Sequence, residues 1–407
     1  MSQTTRVLLA LAAGLVAGTA LAFADPATAT SVADVVEPFG KLWLRALQMT
    51  VVPLVFSLVV VGVNAASDVA HSGRVARRAV TLFLVLLGAG AALTAVLAPL
   101  ALSLLTPDPA VAAALHGTTE SAAPRGSWAD ALTTIIPTNA IAAAANSAML
   151  PLVVFALAFG FALTRLDAEP RALVVRFFKA VADAMIVIVR WVLWAAPAGI
   201  FALVLALCAR AGLGVLRALG IYVLLECVLY ALATVLLVAV AVTVGRQRLK
   251  HFMGGLFPVQ AVAASTQSSL ATLPAMLDAS ERQLGFPQAV SSLVLPMAVS
   301  LFRITSPIQY IATASFLAWA FGVPLSPAQL AAGAALAVVV SMGSVGLPGQ
   351  AIFLATTTPV AHAMGVPVAP LVVLMAVDAI PDVLATVGNV TGDMTANAIV
   401  ASREPRV

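Results

Sequence analysis

The residues most suited to chemistry lie on the last long apolar segment of the chain, Met375 to Val400. Five polar side chains recur there at spacings of four, four, three and four residues. At about 100° per residue, they fall within an arc of about 80° on one helix face. Because each carboxylate inside a membrane-length helix costs about 2.5 to 3.5 kcal/mol, this face predicts a polar path or binding site rather than a lipid contact. This polar stripe consists of Asp378, Asp382, Thr386, Asn389 and Asp393.

The composition places this segment in a lipid bilayer. Hydrophobic residues make up 62% and charged residues 9% of the 407 residues, and the mean hydropathy is +1.06. The apolar runs have the length of membrane-spanning helices, whereas an outer-membrane barrel would show stretches of about ten residues with alternating polarity. We therefore predict an all-α, multi-pass integral protein of the cell (inner, cytoplasmic) membrane.

Basic residues cluster at the amino terminus, in every second loop and at the carboxyl terminus. The positive-inside rule assigns these places to the cytoplasm, so both termini are predicted to be cytoplasmic. The net charge of +4 therefore reports topology, and we expect no nucleic-acid partner. The predicted spans before Lys250 are 7–24, 42–65, 79–105, 129–165, 182–209 and 217–244.

The sequence lacks the residue sets of an enzyme. Cys208 and Cys227 have no metal-ligand spacing, the four histidines are scattered singly, and no nucleophile lies in a recognisable catalytic motif. We expect neither enzymatic activity nor a cofactor. Glu226, a lone acid inside a predicted span, is expected to serve the scaffold or a subunit contact.

After Lys250 two apolar segments, 254–280 and 328–361, are interrupted midway by small polar residues. A continuous helix through Ser341 to Gly349 would lose hydrogen bonds at Pro348 and carry the entropic cost of three glycines. Each segment is therefore predicted to form two half-helices meeting at a tip. Each is followed by a long segment with its own polar break or stripe. This pattern is typical of inverted-repeat transporters, in which helix ends near the midplane bind anions and cations.

The run from Asp378 to Asp393 closely resembles the last transmembrane helix of the dicarboxylate/amino acid:cation symporter family, which includes the glutamate transporter homologues. Similar matches occur at Thr266 to Pro274, Ser341 to Gly349, Val52 to Phe56 and Ile136 to Asn139. The resemblance implies eight transmembrane helices, two re-entrant hairpins and a homotrimer with an elevator-type transport domain. It places helices 1–6, which form the scaffold and trimerisation region with parts of the transport domain, in residues 1–250 and the transport core in residues 251–407.

The resemblance also implies roles for individual residues in binding a small carboxylate or amino acid. Asp382 and Asn389 match positions that hold a solute's amino and carboxylate groups, and Thr386 matches a neighbouring contact. Ser268 and Ser269 match the tip of the first hairpin, which meets the solute carboxylate.

Other matches concern the second hairpin and the coupling ion. Ser344 to Gly349 match the second tip, which resembles an extracellular gate, with Gly346 allowing movement. Asn389 and Asp393 match a pair of sodium ligands, to which backbone carbonyls near Ser300 and Ser344 would add.

Two departures from the family pattern bear on the solute and the ion. Ala385 stands where family members that take acidic solutes have an arginine, so a second carboxylate on the solute would lose its anchor. The family's Asn-Met-Asp-Gly-Thr motif is here Phe302-Arg303-Ile304-Thr305-Ser306. An amide and a carboxylate are thus replaced by hydrocarbon, and a guanidinium is added.

Arg303 admits three interpretations. It could pack as a structural ion pair with Asp393 or Asp378, replace a bound cation as a tethered charge, or recognise the solute anion.

The predicted function is a secondary transporter of a small carboxylate-bearing solute, neutral or amino-acid-like rather than dicarboxylic. Three hypotheses remain open. The first is transport coupled to Na⁺, and the second is proton coupling or exchange with Asp382 or Asp393 as the titrating group. The third is an anion channel or a sensor on the same fold.

Overall fold

A computed structural model of the chain describes residues 3–71, 73–106, 136–146, 148–211, 214–343 and 349–403. These residues form helices and turns, and they contain no strand, which confirms the all-α prediction. The helices are α1 (Gln3–Ala24), α2 (Pro26–Gln48), α3 (Val51–His71), α4 (Arg74–Ser103), α5 (Ala140–Ala145), α6 (Met149–Leu163), α7 (Ala168–Trp194), α8 (Ala196–Ala211), α9 (Gly214–Thr243), α10 (Leu249–Thr266), α11 (Ser269–Asp278), α12 (Gln288–Leu301), α13 (Thr305–Ala320), α14 (Pro327–Gly343), α15 (Gly349–Ala363), α16 (Leu371–Val377) and α17 (Pro381–Ala401), with a π-helical turn at Ala279–Gln283.

Several of these helices are long and apolar enough to cross a membrane. In the described part of the chain there are four such spans, or six if each of two bent helix pairs counts as one. The bent pairs are α7 with α8, at 59°, and α16 with α17, at 78°. This supports a multi-pass membrane protein, and the expected count of eight spans stays a prediction.

The span predicted at residues 182–209 begins earlier than expected. The helix α7 starts at Ala168, and the chain bends at Ala195 before α8 continues. Pro197 lies in the first turn of α8, where a missing backbone N–H is tolerated and the preceding helix can end. Hydropathy alone therefore missed both the polar start of α7 and the bend.

Both interrupted segments contain separate helices, as predicted. In the first, α10 ends at Thr266, Gln267 adopts a left-handed conformation with φ of 50°, and Ser268 precedes α11. The Ser268 hydroxyl caps α11 by accepting the backbone N–H of Ala271 at 3.2 Å. In the second, α14 ends at Gly343 and α15 begins at Gly349, and residues 344–348 lie outside the described residues.

The polar stripe does not lie on one helix, which corrects the prediction for Asp378. The helix α16 ends at Val377, and α17 begins at Pro381 after a tight turn in which the Asp378 N–H donates to the Met375 carbonyl. Proline has no N–H to continue the α-helical hydrogen bonds, so the helix turns sharply here. Only Asp382, Thr386, Asn389 and Asp393 form a stripe on α17, called the α17 stripe below.

Two groups of packed helices bear on the site. In the first, α1 and α2 both lie against α8. Gly18 permits this contact, because a Cβ there would lie 2.5 Å from the Leu205 carbonyl oxygen. In the second group α17 contacts α9, α10, α12 and α13, while α4 contacts α13. The second group surrounds the α17 stripe with other helices.

Candidate binding site

The site is built where α17 meets the break between α12 and α13, residues 302–304. The backbone N–H of Thr305 donates to the Asn389 side-chain oxygen at 3.0 Å, and the Thr305 hydroxyl donates to the Ala385 carbonyl at 3.2 Å. Gly388 allows this approach, since a Cβ there would lie 2.7 Å from the Thr305 methyl group. These contacts fix the register of α17 against the break.

Arg303 lies in the break and is half-buried. Its backbone carbonyl accepts a hydrogen bond from the Ser341 hydroxyl of α14 at 3.2 Å, so the second hairpin also reaches the site. Its positive charge acts on the carboxyl groups of Asp378, Asp382 and Asp393. One guanidinium thus interacts with carboxyls on both sides of the bend between α16 and α17.

The Asp393 carboxyl is buried, and the described residues do not give it the polar partners that surround a typical ion ligand. It is fully buried, and neither oxygen has a hydrogen-bond partner in the described part of the chain. Next to it, a Cβ on Gly392 would lie 2.9 Å from an Ile304 methyl carbon and 3.1 Å from the Phe302 ring. Phe302 in turn stacks on Phe83, with ring centroids 4.8 Å apart. Phe302 and Ile304, which stand where the resemblance leads one to expect oxygen ligands, therefore pack as hydrocarbon against α17 at Gly392, the neighbour of Asp393 in sequence.

The remaining α17 stripe residues follow one another toward the bend. Asn389 and Thr386 are buried and Asp382 is half-buried. The Thr386 hydroxyl donates to the Asp382 backbone carbonyl at 2.9 Å. The Asp382 carboxyl at the start of α17 is therefore the most accessible acceptor of the stripe, suited to a solute cation.

The first hairpin also packs onto α17. Ser268 and Ser269 are half-buried at the start of α11, which contacts α17. Gln260 of α10 donates to the Thr391 hydroxyl at 2.9 Å, joining the two elements. The hydroxyls and N-terminal amides of α11 are donors suited to a carboxylate near α17.

Three predicted residues are not brought into the site by described contacts. Ser300 is exposed, and its hydroxyl donates to the Pro296 carbonyl of its own helix at 2.8 Å. Ser344 and Gly346 lie outside the described residues. Their roles in ion binding and at the second tip stay predictions. Among the described residues no group of three or more His, Cys, Asp and Glu side chains could hold a metal ion.

Comparison with known proteins identifies the family. The family model for the sodium:dicarboxylate symporter family matches residues 4–403, nearly the whole chain. The chain belongs to this family. The resemblance drawn from the α17 stripe and the two hairpins is thereby confirmed.

The relatives of this chain within the family are named for different solutes. The proton/sodium-glutamate symport protein of Bacillus caldotenax is 27% identical, over 98% of this chain and 94% of the relative. The proton/glutamate-aspartate symporter of Escherichia coli K12 is 27% identical, over 99% and 93%. The neutral amino acid transporter B(0) of Oryctolagus cuniculus is 31% identical, over 95% and 77%. Since these identities are close, overall similarity does not choose between acidic and neutral solutes.

Part of the polar network of this family member is not evident from its sequence. Glu226 was expected to serve the scaffold or a subunit contact, but it is fully buried and faces α13, where the Thr313 hydroxyl donates to its carboxyl at 3.1 Å. Asn397 donates from one amide nitrogen to the hydroxyls of Ser280 and Ser291, at 3.1 and 3.0 Å. A lone acid in an apolar span was the available signal for Glu226, and no spacing rule links it to α13.

Proposed function

We propose that this protein is a secondary active symporter of a small carboxylate-bearing solute, neutral and amino-acid-like rather than dicarboxylic. The observation that carries the proposal is the α17 stripe, whose Asp382 carboxyl interacts with Arg303 and against which the first hairpin packs. The membership of the family and the names of its relatives support transport of an amino acid.

The side chains of the site suggest how such a solute is held. The Asp382 carboxylate accepts the solute ammonium, while Asn389, Ser268 and Ser269 offer donors to its carboxylate. The helix α17 contains neither lysine nor arginine, and Ala385 is 7% exposed with an apolar side chain. A second carboxylate on the solute would therefore be desolvated without a partner on α17.

The transport mechanism that we propose is an elevator motion within a homotrimer in the cytoplasmic membrane, with both termini cytoplasmic. The two packing groups support this division. The α1, α2 and α8 group would serve as scaffold, whereas α4 and α9 would move with the core formed by residues 251–407. The proposed domain border near residue 250 thus separates sequence regions, while α4, α9 and other helices before it pack with the core.

Binding of solutes to the purified protein tests the proposal. Thermal unfolding should be measured with neutral amino acids, acidic amino acids, and mono- and dicarboxylates, each with Na⁺ or K⁺ and at two pH values. A bound solute raises the apparent stability by mass action, so neutral amino-acid-like solutes should raise the unfolding temperature and diacids should not. Uptake of the same solutes into proteoliposomes distinguishes a carrier from a binding sensor, and saturation distinguishes it from a channel. Stabilisation by diacids alone would overturn the proposed solute class.

Ala385→Arg tests the solute class directly. A guanidinium at this position would supply a charge-assisted anchor, so affinity for an acidic amino acid should rise roughly ten- to a hundredfold relative to a neutral one. Ala385→Gln adds similar bulk without charge and is the matched control. Equal changes in both variants would assign the effect to size and contradict the argument.

A sodium-independent carrier is the second candidate, because Phe302 and Ile304 place hydrocarbon against α17 at Gly392, next to Asp393 in sequence. In this form Arg303 replaces a bound cation as a tethered charge. Arg303→Met should then make stability or uptake depend on Na⁺, while the wild type responds equally to Na⁺ and K⁺. Sodium-dependent binding by the wild type would favour Na⁺ symport through Asn389 and Asp393 instead.

A further inference from the structure

A second pair of buried carboxyl groups lies behind the α17 stripe. Glu226 projects from α9, and Asp378 lies in the turn between α16 and α17. Both side chains are completely buried. Neither belongs to the solute-binding residues proposed above. Two acids without solvent in the middle of a helix bundle are costly, and such groups mark ion or proton pathways more often than lipid contacts.

The hydrogen bonds to this pair come from neutral side chains of α13. The Thr313 hydroxyl donates to one oxygen of Glu226 at 3.1 Å, and the Gln309 amide donates to one oxygen of Asp378 at 2.6 Å. The second oxygen of each carboxyl has no hydrogen-bond partner in the described part of the chain. Each carboxyl therefore keeps one oxygen available for a proton.

Further groups of α9 lie close to the Glu226 carboxyl. The hydroxyls of Tyr222 and Tyr230 and the thiol of Cys227 interact with it electrostatically. The Tyr222 hydroxyl also lies 3.4 Å from that of Thr313, whereas the Tyr230 hydroxyl has no hydrogen-bond partner among the described residues. These neutral groups can stabilise either protonation state of the acid without supplying a fixed charge.

The charges around the pair do not balance. Asp378 and Asp382 act on each other, and Glu226 interacts with both of them. Among the described residues, the cation that acts on Asp378 is Arg303, which it shares with Asp382 and Asp393. Since one guanidinium can neutralise one carboxylate, the buried acids need further positive charge, which can come from protons or from cations.

We propose that Glu226 and Asp378 form a proton-binding site that exchanges a proton with water during each transport cycle. A proton taken from water on one side forms an O–H bond with a carboxylate oxygen of the pair. That bond breaks when the proton leaves to water on the other side. The pair is linked to the solute site because the Asp382 N–H donates to the Asp378 carbonyl at 3.0 Å. This inference rests on the proposed function and names the acids that couple it to a proton gradient.

Variants that remove the charge but keep the shape test the site. Wild type, Glu226→Gln and Asp378→Asn should be compared for solute uptake and for internal acidification of proteoliposomes containing a pH-sensitive dye. Where a single proton limits the rate, wild-type uptake should change about tenfold per pH unit, and both variants should flatten this profile and lose solute-driven acidification. Glu37→Gln, which replaces an acid of α2, is the matched control and should keep the wild-type profile.

Infrared spectroscopy on the purified protein gives a readout that does not need transport. The wild type should show a protonated carboxyl band that decreases as pH rises, and Glu226→Gln or Asp378→Asn should lose that band. If one variant does not fold, the other still identifies the band. Uptake in both variants with the wild-type pH profile, or the absence of a titrating carboxyl band in the wild type, would overturn the proton site. Failure of the wild type to take up any solute would overturn the proposed function, and the infrared result would then decide the proton site separately.

Discussion

The first helix group, α1, α2 and α8, and the helices α9, α13 and α17 of the second group differ in where they carry charge. In the first group, Arg210 at the end of α8 pairs with Asp34 at 2.6 Å and Glu37 at 2.9 Å, and Glu37 also pairs with Lys41 at 2.7 Å. These charges are paired with one another, and the side chains of Arg210, Asp34 and Lys41 are partly exposed. In the second group, carboxyls are buried in mid-helix or at a bend, and several share one guanidinium.

The difference separates structural charge from functional charge. Partly exposed, paired charges add little to stability, since water competes with them. Buried acids with unpartnered oxygens lower stability unless a proton, ion or solute compensates them. Binding of a proton, an ion or a solute is therefore expected to raise the stability of the second group, through its buried acids. Four substitutions test this contrast.

Arg303→Met should have the largest effect on stability. Removal of the guanidinium leaves Asp382 and Asp393 without the cation that acts on them; because Arg303 is half-buried, the cost should be less than the roughly 3 to 5 kcal/mol of a fully buried pair. Thermal unfolding at neutral pH in sodium-free buffer would measure this cost. Arg303→Lys keeps the charge and should recover part of the stability. An unfolding temperature equal to that of the wild type would remove the contrast between the two groups.

Asn389→Ala should come next and should affect both stability and binding. It leaves the buried N–H of Thr305 without its 3.0 Å acceptor, which costs about 1 to 3 kcal/mol. It also removes a proposed solute donor, so the stabilisation by solute should disappear. The measurement is thermal unfolding with and without a neutral amino acid. A solute response that survives the substitution would contradict the binding role.

Asn397→Ala should lower stability without affecting the solute response. Its amide joins α17 to the hydroxyls of Ser280 and Ser291, at the far end from the site. Loss of these buried hydrogen bonds costs about 1 to 3 kcal/mol, while the solute should still raise the unfolding temperature as in the wild type. The pair Asn389→Ala and Asn397→Ala thus separates a binding amide from a structural amide on one helix. Loss of the solute response in both would remove that distinction.

Arg210→Ala should have the smallest effect. Its pairs with Asp34 and Glu37 are partly exposed, and such pairs contribute about 0 to 1 kcal/mol. We expect a small fall in unfolding temperature that shrinks further in high salt, with unchanged uptake. A loss as large as that of Arg303→Met would show that the first group also depends on buried charge.

Local features of the chain were predicted from sequence. The tip at Gln267 and Ser268, the break at 302–304 and the stripe from Asp382 to Asp393 each depend on neighbouring residues and helix periodicity. The position of Asp378 was predicted wrongly, because a periodic count continues through Pro381 whereas the hydrogen-bonded backbone does not.

The sequence by itself determined the membrane environment, the helical class, the family and the polar face of α17, because these follow from composition, period and local motifs. Tertiary structure decided which distant groups meet. Thr305 and Asn389 are 84 residues apart in sequence, and Glu226 and Thr313 are 87 apart, yet each pair is hydrogen-bonded. Only the folded chain places Phe302 and Ile304 against Gly392. Helix packing sets these contacts, and no spacing along the chain encodes them.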